Sequence, residues 1–309
     1  MMEVLAVSSR ATIQDIGRFG LREFGISQCG AMDKLALKAG NLLLGNEENT
    51  PAIEVPLGGI SLKFHEAISF CVTGAFYEMT LDDEPIFTYW RYQAKAGQVL
   101  KLHHAKIGMY GYLCVRGGFD IPKELNSCST DVRAKLGGIN GRILAVGDQL
   151  LTKNDGLLLQ KVGIAPIPLK NTIYALPSSE YQAFTRKSQY NWWQTKWTLQ
   201  SNSDRMGYRF QGAVLNLEKP LEMLSHAIQF GSVQVPPNGQ PIILMADAQT
   251  TGGYPKIAHV IDADLGALAQ VRLGTAIQFE AVDLAQAAKL RRKNDVYLDQ
   301  IRSIVDEAY

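Results

Sequence analysis

The chain has 309 residues, with 31 Lys+Arg against 30 Asp+Glu and a formal net charge of +1. Near-neutrality with no long basic block argues against a nucleic-acid or anionic-lipid surface, and no apolar run reaches the roughly 18 residues that a membrane-spanning helix needs. At 46% hydrophobic and 20% charged residues the composition is that of an ordinary globular protein, long enough for two domains. The first ten residues carry no secretory signal pattern, and the expected compartment is the cytoplasm. The four cysteines, Cys29, Cys71, Cys114 and Cys128, are too widely spaced for a zinc or disulfide framework, so reduced thiols and no metal site are expected.

In chain order, the first helical pattern spans 33–44. Its apolar positions at 35, 36, 39, 42 and 43 form one face, Asp33 is placed to cap its start and Gly45 to stop it. Strand alternation follows at Ile60, Leu62 and Phe64 and again at Ile68, Phe70 and Val72. A glycine that opens an alternating segment recurs at Gly97, Gly147 and Gly274, where a positive φ before a strand is expected. The 28 glycines and many short strands predict a mainly β protein with a few helices, β or α+β in class. Two prolines within 163–170 mark a linker, so the domains are placed at 1–165, a β-rich N-terminal domain, and 166–309. A second helix is expected to start at Ser178-Ser179-Glu180 and a third from Val282 onward, with Arg291-Arg292-Lys293 as a solvated face.

Several standard chemistries are missing from the sequence. It holds no Gly-x-x-x-x-Gly-Lys-Ser/Thr phosphate loop, no His-Glu-x-x-His, no Gly-x-Ser-x-Gly elbow and no Met-Lys-Met biotin attachment site. The five histidines follow no ligand spacing, and His103-His104 are adjacent in a strand, on opposite faces, in structural or surface roles.

Four clusters remain, each with two readings. Gln14, Asp15 and Arg18 within Thr12–Gly20, with Asp33 after Gly30-Ala31-Met32, either present a carboxylate and a guanidinium to a ligand or make a turn pinned by an Asp–Arg pair beside a capped helix. Arg116 ends a strand before Gly117-Gly118, and Ser127–Arg133 includes Asp131; this is either an anion-binding loop or a Ser/Asx turn, with Cys128 a weaker idea as a nucleophile. Arg205 and Arg209 in Ser203–Arg209 suit carboxylate or phosphate recognition, or a surface ion-pair network with Asp204. Finally, the strand 242–246 delivers Asp247, Gln249, Thr250, Tyr254 and Lys256 to a glycine-rich loop able to hold a polar ligand or simply to turn.

These phrases, QDIGRFG, GAMD, STDVRAKLGG, SDRMGYRFQG, GSVQVPPNGQPI and QTTGGYPKIA, in this order, resemble the family that groups KipA, allophanate hydrolase subunit 2 and the C component of 5-oxoprolinase (PxpC), which is carboxyltransferase-like; the match runs from about Ile13 to about Gln278. The resemblance implies cyclophilin-like open β-barrels, the second with a C-terminal helix. It implies the C component of an ATP-dependent 5-oxoprolinase, inactive alone, working on a small-molecule substrate with two partner chains, a KipI-like B component and a LamB/YcsF-type A component. ATP would then be bound in the complex, in this chain or in a partner, with no covalent biotin here. Two alternatives come with it: a biotin-dependent urea or allophanate-type carboxyltransferase component, or a KipA-like regulator that binds a KipI-like kinase inhibitor. Under this resemblance Arg116, Asp247 and Lys256 are the expected catalytic residues, and Gln14, Asp15, Arg18, Asp33, Asp131, Arg205, Gln249, Thr250 and Tyr254 the expected substrate contacts. Phe19, Cys29 and Ala248 depart from the usual pattern, and Ala248 is expected to remove a ligand contact.

Overall fold

The computed structural model describes residues 1–307, with Glu307 described in its backbone only. Two compact units are built from interleaved segments: residues 1–18, 29–168 and 294 onward form the first, and 19–28 with 169–293 form the second. The chain passes from one to the other at 168/169, three residues from the expected 165/166 boundary, but the division is not contiguous.

The first unit holds β1 (Met2–Val7), β2 (Thr12–Gln14), α1 (Lys34–Leu43), β3 (Ala52–Pro56), β4 (Gly58–Phe64), β5 (Ile68–Leu81), β6 (Glu84–Ile86), β7 (Arg91–Ala94), β8 (Val99–Val115) and β9 (Gln149–Leu150). The strands make a nine-stranded sheet in the order β2-β3-β8-β4-β1-β9, with β5 on β8 and both β6 and β7 on β5. The long pair β5–β8 shifts register between Gly74 and Met79. Such bulges bend and twist a ribbon, which wraps the sheet around a core that includes Phe64, Phe70, Leu113 and Phe119. The expected first helix forms. Asp33 Oδ1 accepts from Ala36 N at 3.0 Å, and Gly45, at φ 66, follows its end.

The second unit holds β10 (Thr172–Pro177), α2 (Arg186–Gln194), β11 (Trp197–Leu199), β12 (Gly207–Gln211), β13 (His226–Ala227), β14 (Ser232–Gln234), β15 (Ile242–Leu244), β16 (Thr251–Gly252), β17 (Lys256–Val260), α3 (Asp262–Ala269) and β18 (Ala276–Ala281). Seven of these strands form a closed barrel, β10-β17-β14-β15-β12-β11-β18. The mainly β class is as expected, but this barrel is closed rather than open, because β18 pairs with β11 on one side and runs parallel to β10 on the other. Trp192 of α2 stacks on Phe279 at 4.3 Å between ring centroids, with Trp197 at 5.4 Å from Trp192 and Phe210 edge-on to Phe279. The helix expected from Ser178 begins later: Tyr181–Ala183 is a short 3-10 turn, and α2 starts at Arg186 behind its Thr185 cap. The fourth helix, α4 (Leu284–Glu307), is the expected C-terminal one. No helix among the described residues is long and apolar enough to cross a membrane.

Gly97, Gly147 and Gly274 all take positive φ, at 93°, 87° and 82°, and a Cβ there would meet nothing within 4 Å. Their requirement is therefore conformational and not steric. Gly97→Ala is expected to lower the unfolding free energy by about 1–2 kcal/mol, measured by chemical denaturation. An unchanged midpoint would refute the backbone explanation.

Candidate functional site

In the first unit the sequence clusters assemble into architecture. Asp15 is 1% exposed. Its Oδ1 accepts from Gly17 N (2.8 Å), Ser127 Oγ (2.7 Å) and Ser129 Oγ (2.5 Å), and its Oδ2 accepts from Cys128 N (2.7 Å). Three of these four donors bind the 127–129 loop to the end of β2, and the fourth, Gly17 N, closes a local turn. Arg18, also buried, donates from Nη2 to Ser129 O (2.5 Å) and from Nε to Glu124 O (3.2 Å). Gln14 donates to Thr12 Oγ1 and Thr130 O. A Cβ at Gly137 would lie 2.1 Å from Ser129 O and 2.4 Å from Arg18 Nη2, so this packing requires a glycine. The segments around QDIGRFG and STDVRAKLGG thus interlock. Cys128 is buried there, its thiol pushed up by burial and by the Asp15 carboxylate, which does not suit a nucleophile.

The remaining first-unit candidates are also engaged. Asp131 Oδ1 accepts from Arg133 N and Ala134 N, closing an Asx turn. Arg116 donates from Nη1 to Leu44 O (2.8 Å) and Gly45 O (2.9 Å), holding the carbonyl end of α1, and pairs with Asp155. Asp33 caps the other end of that ten-residue helix. At 1.5 Å per residue the two ends are about 15 Å apart, so Asp33 and Arg116 do not meet on one ligand.

In the second unit, Arg205 and Asp247 meet each other in a bidentate pair, Nε to Oδ2 at 2.8 Å and Nη2 to Oδ1 at 2.7 Å. Thr250 is buried and its carbonyl accepts from Ile228 N, whereas Gln249 and Tyr254 are exposed. Ala248 is 3% exposed and packs with Ile228 and Leu244; it is a core residue and not a lost ligand contact.

Lys256 is placed differently. It lines a cleft of about 420 Å³ with Arg22, Leu176, Ser178, Gln229, Ser232 and His259 among its neighbours. Strand β17 reaches this cleft through a bulge. Its register against β14 passes from Val233↔Ala258 directly to Gln234↔Lys256. Ile257 and Ala258 are consecutively buried, and Lys256 and His259, three residues apart, both face the cleft. A regular strand would point them to opposite sides.

The chemistry around Lys256 is polarised. Its Nζ lies 3.4 Å from Glu180 Oε2 and contacts His226 Nε2, while its backbone N donates to the same Glu180 oxygen at 3.1 Å. Burial alone would raise the Glu180 carboxyl, but hydrogen bonds from Ser179 and Lys256 outweigh it and hold the group below the usual carboxylate range. His226 is brought there by the pairing of β13 with β16, His226 opposite Gly252. His259 is driven below the ordinary imidazole range by burial, with Asp262 opposing and Lys256 reinforcing that shift. It is therefore a neutral imidazole at neutral pH, with Ser232 Oγ 3.5 Å from Nδ1 and Gln229 Nε2 3.4 Å from Nε2.

Of the expected site residues, only Lys256 lines this cleft. Arg22, Glu180, His226 and His259 were not singled out as ligands. Arg22 sits between two of the recognised phrases and His259 just after one, but only the bulge brings the latter to the cleft. Among the described residues no group of His, Cys, Asp and Glu is arranged to hold a metal.

The sequence matches the carboxyltransferase domain, subdomain A and B, over residues 24–281. It is 76% identical to the 5-oxoprolinase C component of Haemophilus influenzae over 99% of both chains, and 46% identical to that of Escherichia coli over 97% of both. In structure it is similar to the K. lactis urea amidolyase, with a TM-score of 0.90 and 27% identity, over 97% of this chain but 20% of that one. The chain belongs to the carboxyltransferase domain family and, within it, to the branch of the 5-oxoprolinase C components. As a member of that branch, it is one component of a multi-chain enzyme.

Asp15 gives a direct test of the architectural reading. Asp15→Asn keeps the shape but turns an acceptor into a donor facing N–H and O–H groups. It is expected to cost about 3 kcal/mol in chemical denaturation. A variant of wild-type stability would return Asp15 to the list of ligand-binding residues.

Proposed function

We propose that this chain is the C component of a cytoplasmic, ATP-dependent 5-oxoprolinase, inactive alone. With a KipI-like B component and a LamB/YcsF-type A component it converts 5-oxoproline, ATP and two waters into L-glutamate, ADP and phosphate. The observation that carries this reading is 76% identity over nearly the full length of both chains to a protein named for that component. A five-membered lactam resists water because its nitrogen donates into the carbonyl. Phosphorylation of the lactam oxygen, with ADP leaving, ties the nitrogen lone pair into a C=N bond and makes the carbon electrophilic; one water adds there, the ring nitrogen leaves as the protonated amine, and the second water releases phosphate from the resulting acyl phosphate.

The chain's contribution is the Lys256 cleft. Lys256, steadied by Glu180 and His226, supplies a fixed cation beside a neutral imidazole, an arrangement that favours negative charge developing on an oxygen. The cleft does not fit a triphosphate. Lys256 and Arg22 are the only cations among its lining residues, Lys256 is already paired, and the sequence has no phosphate loop. ATP is therefore not assigned to this cleft.

ADP release by the chain mixed with its A and B partners tests the reading. Release is expected to require both 5-oxoproline and this chain, and Lys256→Ala is expected to lower it about 100-fold with the far-ultraviolet spectrum of the chain intact. ADP release that ignores 5-oxoproline, together with carboxyl transfer to urea when a biotin carrier is supplied, would move the chain to the carboxyltransferase function of its urea amidolyase relatives.

A further inference from the structure

Arg22 lines the same cleft and has no place in the proposed chemistry. It begins the 3-10 turn Arg22–Phe24, which belongs to the second unit. Its side chain makes no hydrogen bond or ion pair among the described residues, and Nη2 is shielded from solvent without a partner. Burial, the sole cause of its shift, lowers its pKa. It nevertheless stays a cation at neutral pH, because arginine does not lose its proton in proteins. A desolvated guanidinium with no carboxylate opposite is costly unless an anion completes it.

The other lining residues show which anion fits. No carboxylate lines the cleft. Lys256 is paired with Glu180, and burial favours the neutral form of His259. That leaves one uncompensated positive charge, on a planar fork of donors that matches a carboxylate in two parallel hydrogen bonds. Around it stand neutral hydrogen-bonding groups, the Ser178 and Ser232 hydroxyls and the Gln229 amide, suited to a neighbouring amide N–H and C=O. The volume of about 420 Å³ is that of a small-molecule site.

We infer that Arg22 is the carboxylate-binding residue of this chain and that the cleft takes a small monocarboxylate bearing an adjacent amide. Resting on the 5-oxoprolinase reading, that ligand is 5-oxoproline itself, with its carboxylate on Arg22 and its lactam toward Lys256 and His259. Substrate then binds on this chain, in a cleft not assigned to ATP.

The test compares three probes on the full chain by calorimetry: 5-oxoproline, 2-pyrrolidinone, which is the same lactam without the carboxylate, and inorganic phosphate. Binding of 5-oxoproline and not of 2-pyrrolidinone is expected, with at least a tenfold loss in Arg22→Gln and partial recovery in Arg22→Lys. Equal binding of the two lactams, no measurable binding of 5-oxoproline, or an unchanged Arg22→Gln overturns the inference. Phosphate binding that depends on Arg22 and exceeds that of 5-oxoproline overturns it in favour of a phosphate site. In the assembled complex, Arg22→Gln is expected to raise KM for 5-oxoproline at least tenfold with kcat little changed. An unchanged KM in an active complex sinks the carboxylate site and leaves the proposed function standing. Arg22-dependent binding of 5-oxoproline by a chain whose complex never consumes ATP in response to it sinks the function and leaves the site.

Discussion

A single bulge in β17 sets what the second unit can do. Seven strands close on themselves there, and aromatic rings from α2, β11, β12 and β18 pack against one another. A closed, tightly packed barrel has little freedom to admit a ligand, because cores at crystal-like density resist even a methylene. Functional side chains must then leave the packing and face a cleft. By burying Ile257 and Ala258 in succession, the strand turns Lys256 and His259 toward the same cleft. At the same spacing of three in a regular strand, the cation and the imidazole would lie on opposite faces of the sheet.

The first unit uses similar residue types to a different end. Asp15, Arg18, Ser127 and Ser129 form a chemically rich cluster that binds one loop to another, with Arg18 Nη1 left buried and unpaired. Saturation marks the Asp15 carboxylate in particular. The carboxylate of Asp15 accepts four hydrogen bonds and has little capacity left for a ligand. Arg116 likewise spends its guanidinium on the last carbonyls of α1 and on Asp155. Arg22 is half-buried at the edge of an open cleft with Nη2 shielded and unpaired, a guanidinium that an anion entering the cleft can meet.

Much of this was legible in the sequence, for local reasons. The cap at Asp33, the helix over 33–44 and the positive φ of Gly97, Gly147 and Gly274 all follow from residue chemistry within a few positions. The tail helix was legible for the same reason. Lys256 was found from its loop. What escaped depends on pairing between distant segments. His226 and Lys256 are thirty residues apart in sequence and meet because β13 pairs with β16. His259 escaped because alternation, the rule used to read a strand, fails at a bulge. Arg22 escaped because nothing in the phrase around it signals that it lines a cleft with Nη2 shielded and unpaired. The interleaving of 19–28 into the second unit and the closing of the barrel by β18 are equally non-local.

The central claim is that the ligand binds at the second unit's cleft and that the Asp15 loop is scaffold. Amide hydrogen exchange on the assembled complex, with and without 5-oxoproline, tests it most directly. Added 5-oxoproline is predicted to slow exchange at 19–28, 226–232 and 256–259 and to leave 127–138 unchanged. Slowed exchange at 127–138, with none at the cleft segments, would contradict the claim and restore the Asp15 loop as the binding site.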